Sequence, residues 1–466
     1  DGRIDCAGQR LFHRHHSLKV QPIRRGRSFD FQLPVPRPRL IALMVKALRT
    51  AVLFLSLSVV VLTAGRGDFR PSPLDLAVSP YKYSLLQWEL SNFMDKWVRQ
   101  TGQLLPWVSE DVRSVKNQLA QDFFEMGRRQ RSLERRLSFS TTNGEALSAE
   151  EARSMRTEIE EIVERRAAMR PQVEEAVEAE ISSILGDANF KSRIGLIFPP
   201  VDTVYSSSPT VLVLSPRDRI HRQETILLSP GISEEERNRI EELVLREENM
   251  SALVENTGGV ATYPSVVSDA SSMHHAVVIT AHEWLHHWFF FQPLGQHFWD
   301  SSEMTTLNET AATLGGQEIG DLAFSAMTGK KGARGPKSGS PPIPGALDFN
   351  EAMRETRLKA EELLARGKIE EAEAYMEERR QFIADNGRFI RKINQAYFAF
   401  HGSYADSPAS VSPINEQLKE LRRRSDSLED YLKTVASFSS IQEFTEYLAA
   451  DQSPSDSDPK STGAKR

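Results

Sequence analysis

Apolar residues recur along this chain with three different spacings, and each predicts a different kind of element. From Pro71 to Gly186 they keep helical spacing within highly charged sequence. Trp88, Leu90, Phe93, Met94 and Trp97 come first, then Leu119, Phe123, Met126, Leu133 and Leu137. This periodicity predicts long amphipathic helices. The run STTNGEALS at 140–148 breaks them, and Ser148 with Glu151 makes a capping box for a second arm carrying Met155, Ile159, Ile162 and Val163. The expected element is a helical hairpin, and its alternating charges fit structural packing better than partner binding.

Between Ile194 and Val267 the spacing shortens to β-branched runs, IGLIF, TVLVL and ETILL, separated by Pro and Ser. These read as strands. Ser233 and Glu236 cap a helix to Glu248, and GGVATYPSVV from Gly258 is a further strand. After Met327, TGKKGARGPKSGSPPIPGA contains no core-forming pattern and reads as a linker. Residues 350–400 return to helical spacing, with LLARGKIEEAEAYMEERRQFI as one αα-hairpin that has no second copy. The tail after Ala450 has the Ser, Asp and Lys content of a disordered segment. The fold class expected is α+β, mainly helical, with a small sheet.

Composition narrows the setting. At 466 residues, 39% hydrophobic and net charge −6, the chain has an ordinary globular balance with room for two or three domains, and nothing in it points to nucleic acid. Cys6 is the single cysteine, which excludes an internal disulfide and a thiolate metal site. Residues 1–43, rich in Arg, His and Pro, read as a non-native leader. From Met44, a short basic region (Lys46, Arg49), an apolar run from Ala51 to Leu62 and the small residues Thr63, Ala64 and Gly65 have the design of a signal peptide. The apolar run falls short of the roughly 20 residues of a comfortable spanning helix, which favours cleavage, although anchoring through residues 51–64 stays open. Either way the catalytic part is expected to be exported, as a secreted, periplasmic or membrane-anchored protein.

Chemistry concentrates in VVITAHEWLHHWFFF, Val277 to Phe291. His282 and His286, four apart on a helix, lie on one face and can reach a single metal ion. Glu283 beside them can take a proton from a metal-bound water as it attacks a carbonyl. With 11 histidines in 466 residues and a glutamate frequency of roughly 0.08, about 0.02 such patterns arise by chance. The bland alternative is a buried helix whose histidines are satisfied by core hydrogen bonds. Two imidazoles and a carboxylate among Val, Ile, Trp and Phe argue against it, because their desolvation needs a compensating cation.

A third ligand completes such a site. One large class of zinc hydrolases needs Gly and His three and six residues after the second histidine; Phe289 and Gln292 stand there. A second class takes a glutamate from a following helix in the context Asn-Glu-x-x-Ala, which Asn308 to Ala312 match, with 22 residues between His286 and Glu309. The chain thus resembles the gluzincin metallopeptidases, which include thermolysin-like endopeptidases and zinc aminopeptidases, over about 70 residues from Glu255 to Phe324. The resemblance implies Zn2+ held by His282, His286 and Glu309, with Glu283 as general base and later proton donor. Glu303 and Glu318 remain competing third ligands outside that context.

The resemblance further implies that an edge strand before the metal helix pairs with substrate; Gly258 to Ser265 is the candidate, against a simple loop. A downstream Tyr or His would stabilise the oxyanion, and Tyr404, after Gly402, is preferred to Tyr397 and His401. One departure is Thr313, where thermolysin-like members carry an Asp that orients a histidine; Asp300 or Glu318 would substitute. His274, His275, His287 and His297 lie off the ligand face. Glu255 is the candidate to hold a free amine if the enzyme is an aminopeptidase.

The expected organisation is a leader (1–43), a signal peptide or anchor (44–66), a helical hairpin region (67–190), a gluzincin-like catalytic core (191–326), a linker (327–349), a helical region completing the site (350–450) and a disordered tail (451–466). The expected function is hydrolysis of peptide bonds in a peptide or protein substrate, as endopeptidase or aminopeptidase. The competing reading is a non-catalytic, envelope-associated helical interaction protein with a structural metal or none.

Overall fold

A computed structural model describes residues 72–85, 87–89, 110–142, 147–192, 195–332 and 347–450. Among them run helices α1 (Pro73–Val78), α2 (Glu110–Thr142), α3 (Ala149–Asp187), α4 (Glu234–Glu248), α5 (Met273–Phe290), α6 (Pro293–Gln296), α7 (Ser302–Thr328), α8 (Phe349–Ala365), α9 (Ile369–Asp385), α10 (Gln395–His401), α11 (Ile414–Arg424), α12 (Leu428–Ala436) and α13 (Ile441–Ala450). The strands are β1 (Thr203–Ser206), β2 (Thr210–Pro216), β3 (Glu224–Leu228), β4 (Met250–Asn256), β5 (Gly259–Val260) and β6 (Ser265–Ser268). The protein is α+β and mainly helical, with two three-stranded sheets ordered β1-β6-β5 and β3-β2-β4.

Both halves of the Ser148–Glu151 capping box form at the start of α3. Phe123 and Phe124 of α2 then pack with Val173, Val177 and Ile181 of α3 in the main core, which also takes in α5 and α7. Arg166 is buried within this hairpin, its guanidinium 4.4 Å from the Phe123 ring centroid and donating to the Asp269 carbonyl at 3.0 Å. That contact ties the hairpin to the turn between β6 and α5.

Strand alternation assigns the second sheet its two faces. Leu212, Leu214, Ala252 and Val254 point to α4, where Ile240 and Val244 meet them, while Val211, Val213 and Leu253 point to Ala396 and Phe400. β2 pairs antiparallel with both neighbours, Leu212 opposite Ile226 and Val254. The first sheet pairs β1 parallel to β6, with Val204 opposite Val266, and β6 leads into α5, whose N-cap Ser272 accepts from the His275 amide.

Several expectations change. The described part of IGLIF, 195–198, forms no strand: Lys191 and Ile197 make an isolated bridge, Leu196 and Phe198 are exposed, and Pro199 and Pro200 supply no N–H to extend a ladder. The strand is TVYS, β1. The segment from Gly258 is two strands, because the chain turns at Thr262, whose amide donates to the Val260 carbonyl at 2.8 Å, and Pro264 cannot continue a ladder. The helical stretch from Asn350 is interrupted after α9, where Gly387 adopts φ +82°. α7 continues past Met327 to Thr328 and ends on Gly329 at φ +68°. The leader, signal segment, tail, most of the linker and the positions Leu90 to Trp97 lie outside the described residues. Among those described, no helix is long and apolar enough to cross a membrane.

Candidate metal centre

The run Val277–Phe291 becomes α5 and the turn after it, and most of the helix is buried. Ala281, Trp284, Leu285 and Phe289 face the core. His282 and His286 share the remaining face, their ring centroids 4.7 Å apart. α7 crosses against them because its contact face is built from small residues. A Cβ on Gly316 would lie 2.9 Å from the His282 Cα, and one on Gly320 would lie 2.6 Å from the Val278 Cα. Glu309 is about two turns before Gly316 on that same face, so close helix packing brings its carboxylate to the histidines.

The three candidate ligand atoms converge. His282 Nε2 and His286 Nε2 are 3.0 Å apart, and Glu309 Oε2 lies 3.6 and 3.4 Å from them. Ligands about 2.0–2.1 Å from a tetrahedral ion stand roughly 3.3 Å from one another, so the triangle has the dimensions of one face of a zinc site. Glu309 Oε2 is also buried without a hydrogen bond, which a cation would resolve. The residues therefore fit a zinc ion.

Asn308 fixes the tautomer. Its Nδ2 donates to the Leu294 carbonyl at 3.3 Å, leaving Oδ1 to face His286 Nδ1 at 3.0 Å. In the neutral ring the proton then sits on Nδ1 and the Nε2 lone pair points to the site. The substitutes expected for this task are otherwise engaged: Asp300 holds His297 Nδ1 at 2.6 Å, and Glu318 pairs with Arg422 at 2.7 Å. Glu318 and Glu303 are no part of the ligand cluster; Glu303 is exposed and contacts Ser302. Thr313 donates to the Glu309 carbonyl at 2.9 Å.

Charge is strongly coupled here. Burial pushes the Glu309 carboxyl up, but the two imidazoles outweigh it and hold the group far below its usual range. Burial would lower His286, yet the Glu309 charge, its Oε2 3.4 Å from Nε2, with Glu283 and the Asn308 hydrogen bond, raises it to about 9. Glu283 is raised, by burial first, with the imidazoles opposing and Glu309 adding. Its carboxylate lies against β5: a Cβ at Gly259 would be 2.6 Å from Glu283 Oε1. Only glycine leaves room there.

These groups line a cleft of about 980 Å³. β5 is an edge strand, and Gly259, Val260 and Ala261 border the cleft beside Glu283. Tyr404 also borders it, its phenol pushed well above its ordinary value by the Glu309 charge and by burial. The rim is aromatic, with Phe198, Phe290, Phe291 and Trp299 each 51–77% exposed. His287 belongs to the wall, edge-on to Tyr263 at 5.4 Å, and burial lowers it to about 4. His274 bonds Asp321 at 2.6 Å, away from the ligand cluster. Glu255 is not in the cleft lining; its Oε2 lies 4.0 Å from His401 Nε2.

Two contributors have no counterpart in the sequence reading. Asn308 stands out in sequence only as the neighbour of Glu309, and Arg222, which enters the cleft from the β2–β3 turn, carries no sequence signal among the other arginines of that turn. Comparison of the chain with protein-family models, curated proteins and solved structures finds no match.

Proposed function

We propose that this chain is a zinc-dependent metallopeptidase with a gluzincin-like core. What supports the reading most is the convergence of His282 Nε2, His286 Nε2 and Glu309 Oε2, with the raised carboxyl of Glu283 beside them in an open cleft. When bound, zinc supplies Lewis acidity to a water and to the substrate carbonyl. Glu283, its proton affinity raised by burial, takes the proton of the attacking water and returns it to the leaving amine. The Tyr404 phenol stays protonated at neutral pH and can donate to the oxyanion as charge develops. The free edge of β5 can pair with an extended substrate backbone, which fixes the scissile bond beside Glu283.

Among the described residues, the only acids lining the cleft are Glu283 and Glu309. With Glu255 turned to His401, an anchor for a free amine is lacking there, which favours endopeptidase over aminopeptidase. Residues 44–66 remain the basis for proposing export.

The test is paired metal analysis and peptide hydrolysis on the wild type and Glu283→Gln. About one zinc in each, with hydrolysis reduced about 10²–10⁴-fold in the variant, supports the proposal. Zinc retained with no hydrolysis of any peptide by the wild type would instead favour the structural-metal alternative.

A further inference from the structure

Arg222 stands at the end of the turn between β2 and β3 and lines the cleft together with the metal ligands and Tyr404. Its guanidinium lies over the Trp299 ring, 5.6 Å from the centroid. It is close enough to Tyr404 for its charge to favour the phenolate. The other arginines of the turn are engaged: Arg217 holds Glu373 at 2.7 Å, and Arg219 holds Asp218 at 3.2 Å. On the adjoining wall Asp300 is engaged with His297 and Glu303 with Ser302, while Glu224 is exposed at the start of β3 and makes no ion pair with Arg222 that the structure records. Arg222 makes no hydrogen bond or ion pair that the structure records among the described residues.

A guanidinium left open beside a reactive centre, between aromatic walls, is an anion receptor. Its planar fork matches a carboxylate bidentately, and the cation–π contact with Trp299, 5.6 Å to the ring centroid, favours its placement at the cleft before the ligand arrives. The aromatic rim and the β5 edge suit an extended peptide with apolar side chains, and Arg222 adds the one positive contact among the lining residues outside the histidines.

We propose that Arg222 anchors a carboxylate of the substrate, so that the cleft selects peptides with a C-terminus or an acidic side chain within reach of the scissile bond. The proposal rests on the metallopeptidase reading. It also separates this cleft from an amine-recognising one, since a cation repels the ammonium group.

Four zinc-chelating dipeptide hydroxamates test it by calorimetric binding to the zinc-loaded full chain. One pair differs only at the far end, free carboxylate against carboxamide. The second pair, both amidated, carries glutamate or glutamine. The expected result is that an acidic member binds about ten- to a hundredfold tighter than its neutral twin, the range for a charge-assisted hydrogen bond. That preference should fall to about one in Arg222→Met, which keeps an unbranched stem to cover Trp299, and survive in part in Arg222→Lys. The pair showing the preference identifies the source of the carboxylate. Equal binding of acid and neutral twins by the zinc-loaded chain, or a preference that persists in Arg222→Met, overturns the anchor and leaves the metallopeptidase standing. A chain that takes up no zinc and binds none of the four sinks both.

Discussion

Gly316 of α7 touches the backbone of His282: a Cβ there would lie 2.9 Å from both the Cα and the amide nitrogen of the first histidine. Backbone atoms in a buried helix cannot swing aside, so a methyl group must push α7 away from α5. Glu309 travels with α7. Gly316→Ala should therefore cost about 1–3 kcal/mol of stability, the usual range for overpacking, and should also weaken zinc binding. Chemical denaturation and zinc competition on the same variant check this; a loss of stability with unchanged zinc affinity would show that helix spacing does not set the ligand triangle.

Asn308 makes a different prediction, because it touches a ligand rather than a helix. With Oδ1 facing His286 Nδ1 and Nδ2 tied to Leu294, the amide holds the imidazole in one tautomer. Asn308→Ala removes that restraint and should weaken zinc binding about 10–100-fold with Glu309 still present. Nitrogen-resolved NMR of His286 in the zinc-loaded chain should show Nδ1 protonated in the wild type. Zinc affinity within twofold of wild type in the variant would assign Asn308 a packing role only.

Zinc uptake should also release a proton. Burial lowers His286, but the Glu309 charge outweighs it and raises the group from 6.5 to about 9 in the metal-free chain, which favours the imidazolium at pH 7, whereas a ligand must be neutral. The raised value means the ion pair stabilises the metal-free fold fully below about pH 6.5 and loses that contribution as pH rises through about 9. Zinc affinity moves oppositely, rising about tenfold per pH unit from 7 to 9 as the competing proton leaves. Calorimetry at pH 7 in two buffers of different ionisation enthalpy should give about one proton released per zinc. Near-zero release would mean that His286 is neutral before the metal arrives.

How much of this is legible in the sequence depends on whether the signal is local. His282, Glu283 and His286 can be read directly because helical geometry alone puts i and i+4 together. Glu309 is identifiable only through the Asn-Glu-x-x-Ala context, since no spacing rule places α7 across α5; Gly315, Gly316 and Gly320 do that, and their purpose shows only in three dimensions. Tyr404 is reachable as an aromatic after a loop glycine. Asp300 and Glu318 look equally suitable as orienters in sequence, but an i,i+3 histidine takes Asp300 and Arg422, 104 residues beyond Glu318, takes the latter. β1 escapes notice because four residues leave too little alternation to count, whereas the more apolar IGLIF runs into two prolines, and its described residues make one isolated bridge, Ile197 with Lys191. Arg222 is invisible because a free arginine and a paired one look alike in sequence.

The segment carrying Tyr404 depends on a clamp far from the metal, and that clamp has a pH signature. Glu241 of α4 is 2% exposed and accepts from the Val254 amide at 2.7 Å, from Arg391 Nη1 at 2.9 Å and from Lys392 Nζ at 2.5 Å. Arg391 in turn donates to the Val254 carbonyl at 2.9 Å, and Asn394 to the Ala252 carbonyl at 2.9 Å, which pins the chain leading to α10 against β4. Beyond α10, the Ala405 amide donates to Thr310 at 3.0 Å, next to Glu309, so Tyr404 is held from both ends. Burial raises the Glu241 carboxyl, but Arg391 and Lys392 outweigh it and the net shift is downward from 4.5. A depressed carboxylate contributes stability that is complete above its unfolded value of 4.5 and is lost as pH falls through the lower folded value. Glu241→Gln should thus destabilise the chain at pH 7 by about 3 kcal/mol, the low end for breaking a buried pair because Lys392 is partly solvated. The gap between variant and wild type should then close on acidification, because protonation of Glu241 in the wild type removes the same charge. Urea midpoints of both proteins at pH 7 and pH 3 decide the matter. A gap of equal size at both pH values would mean that Glu241 acts through shape and hydrogen bonding, and that its charge does not hold the Tyr404 segment in place.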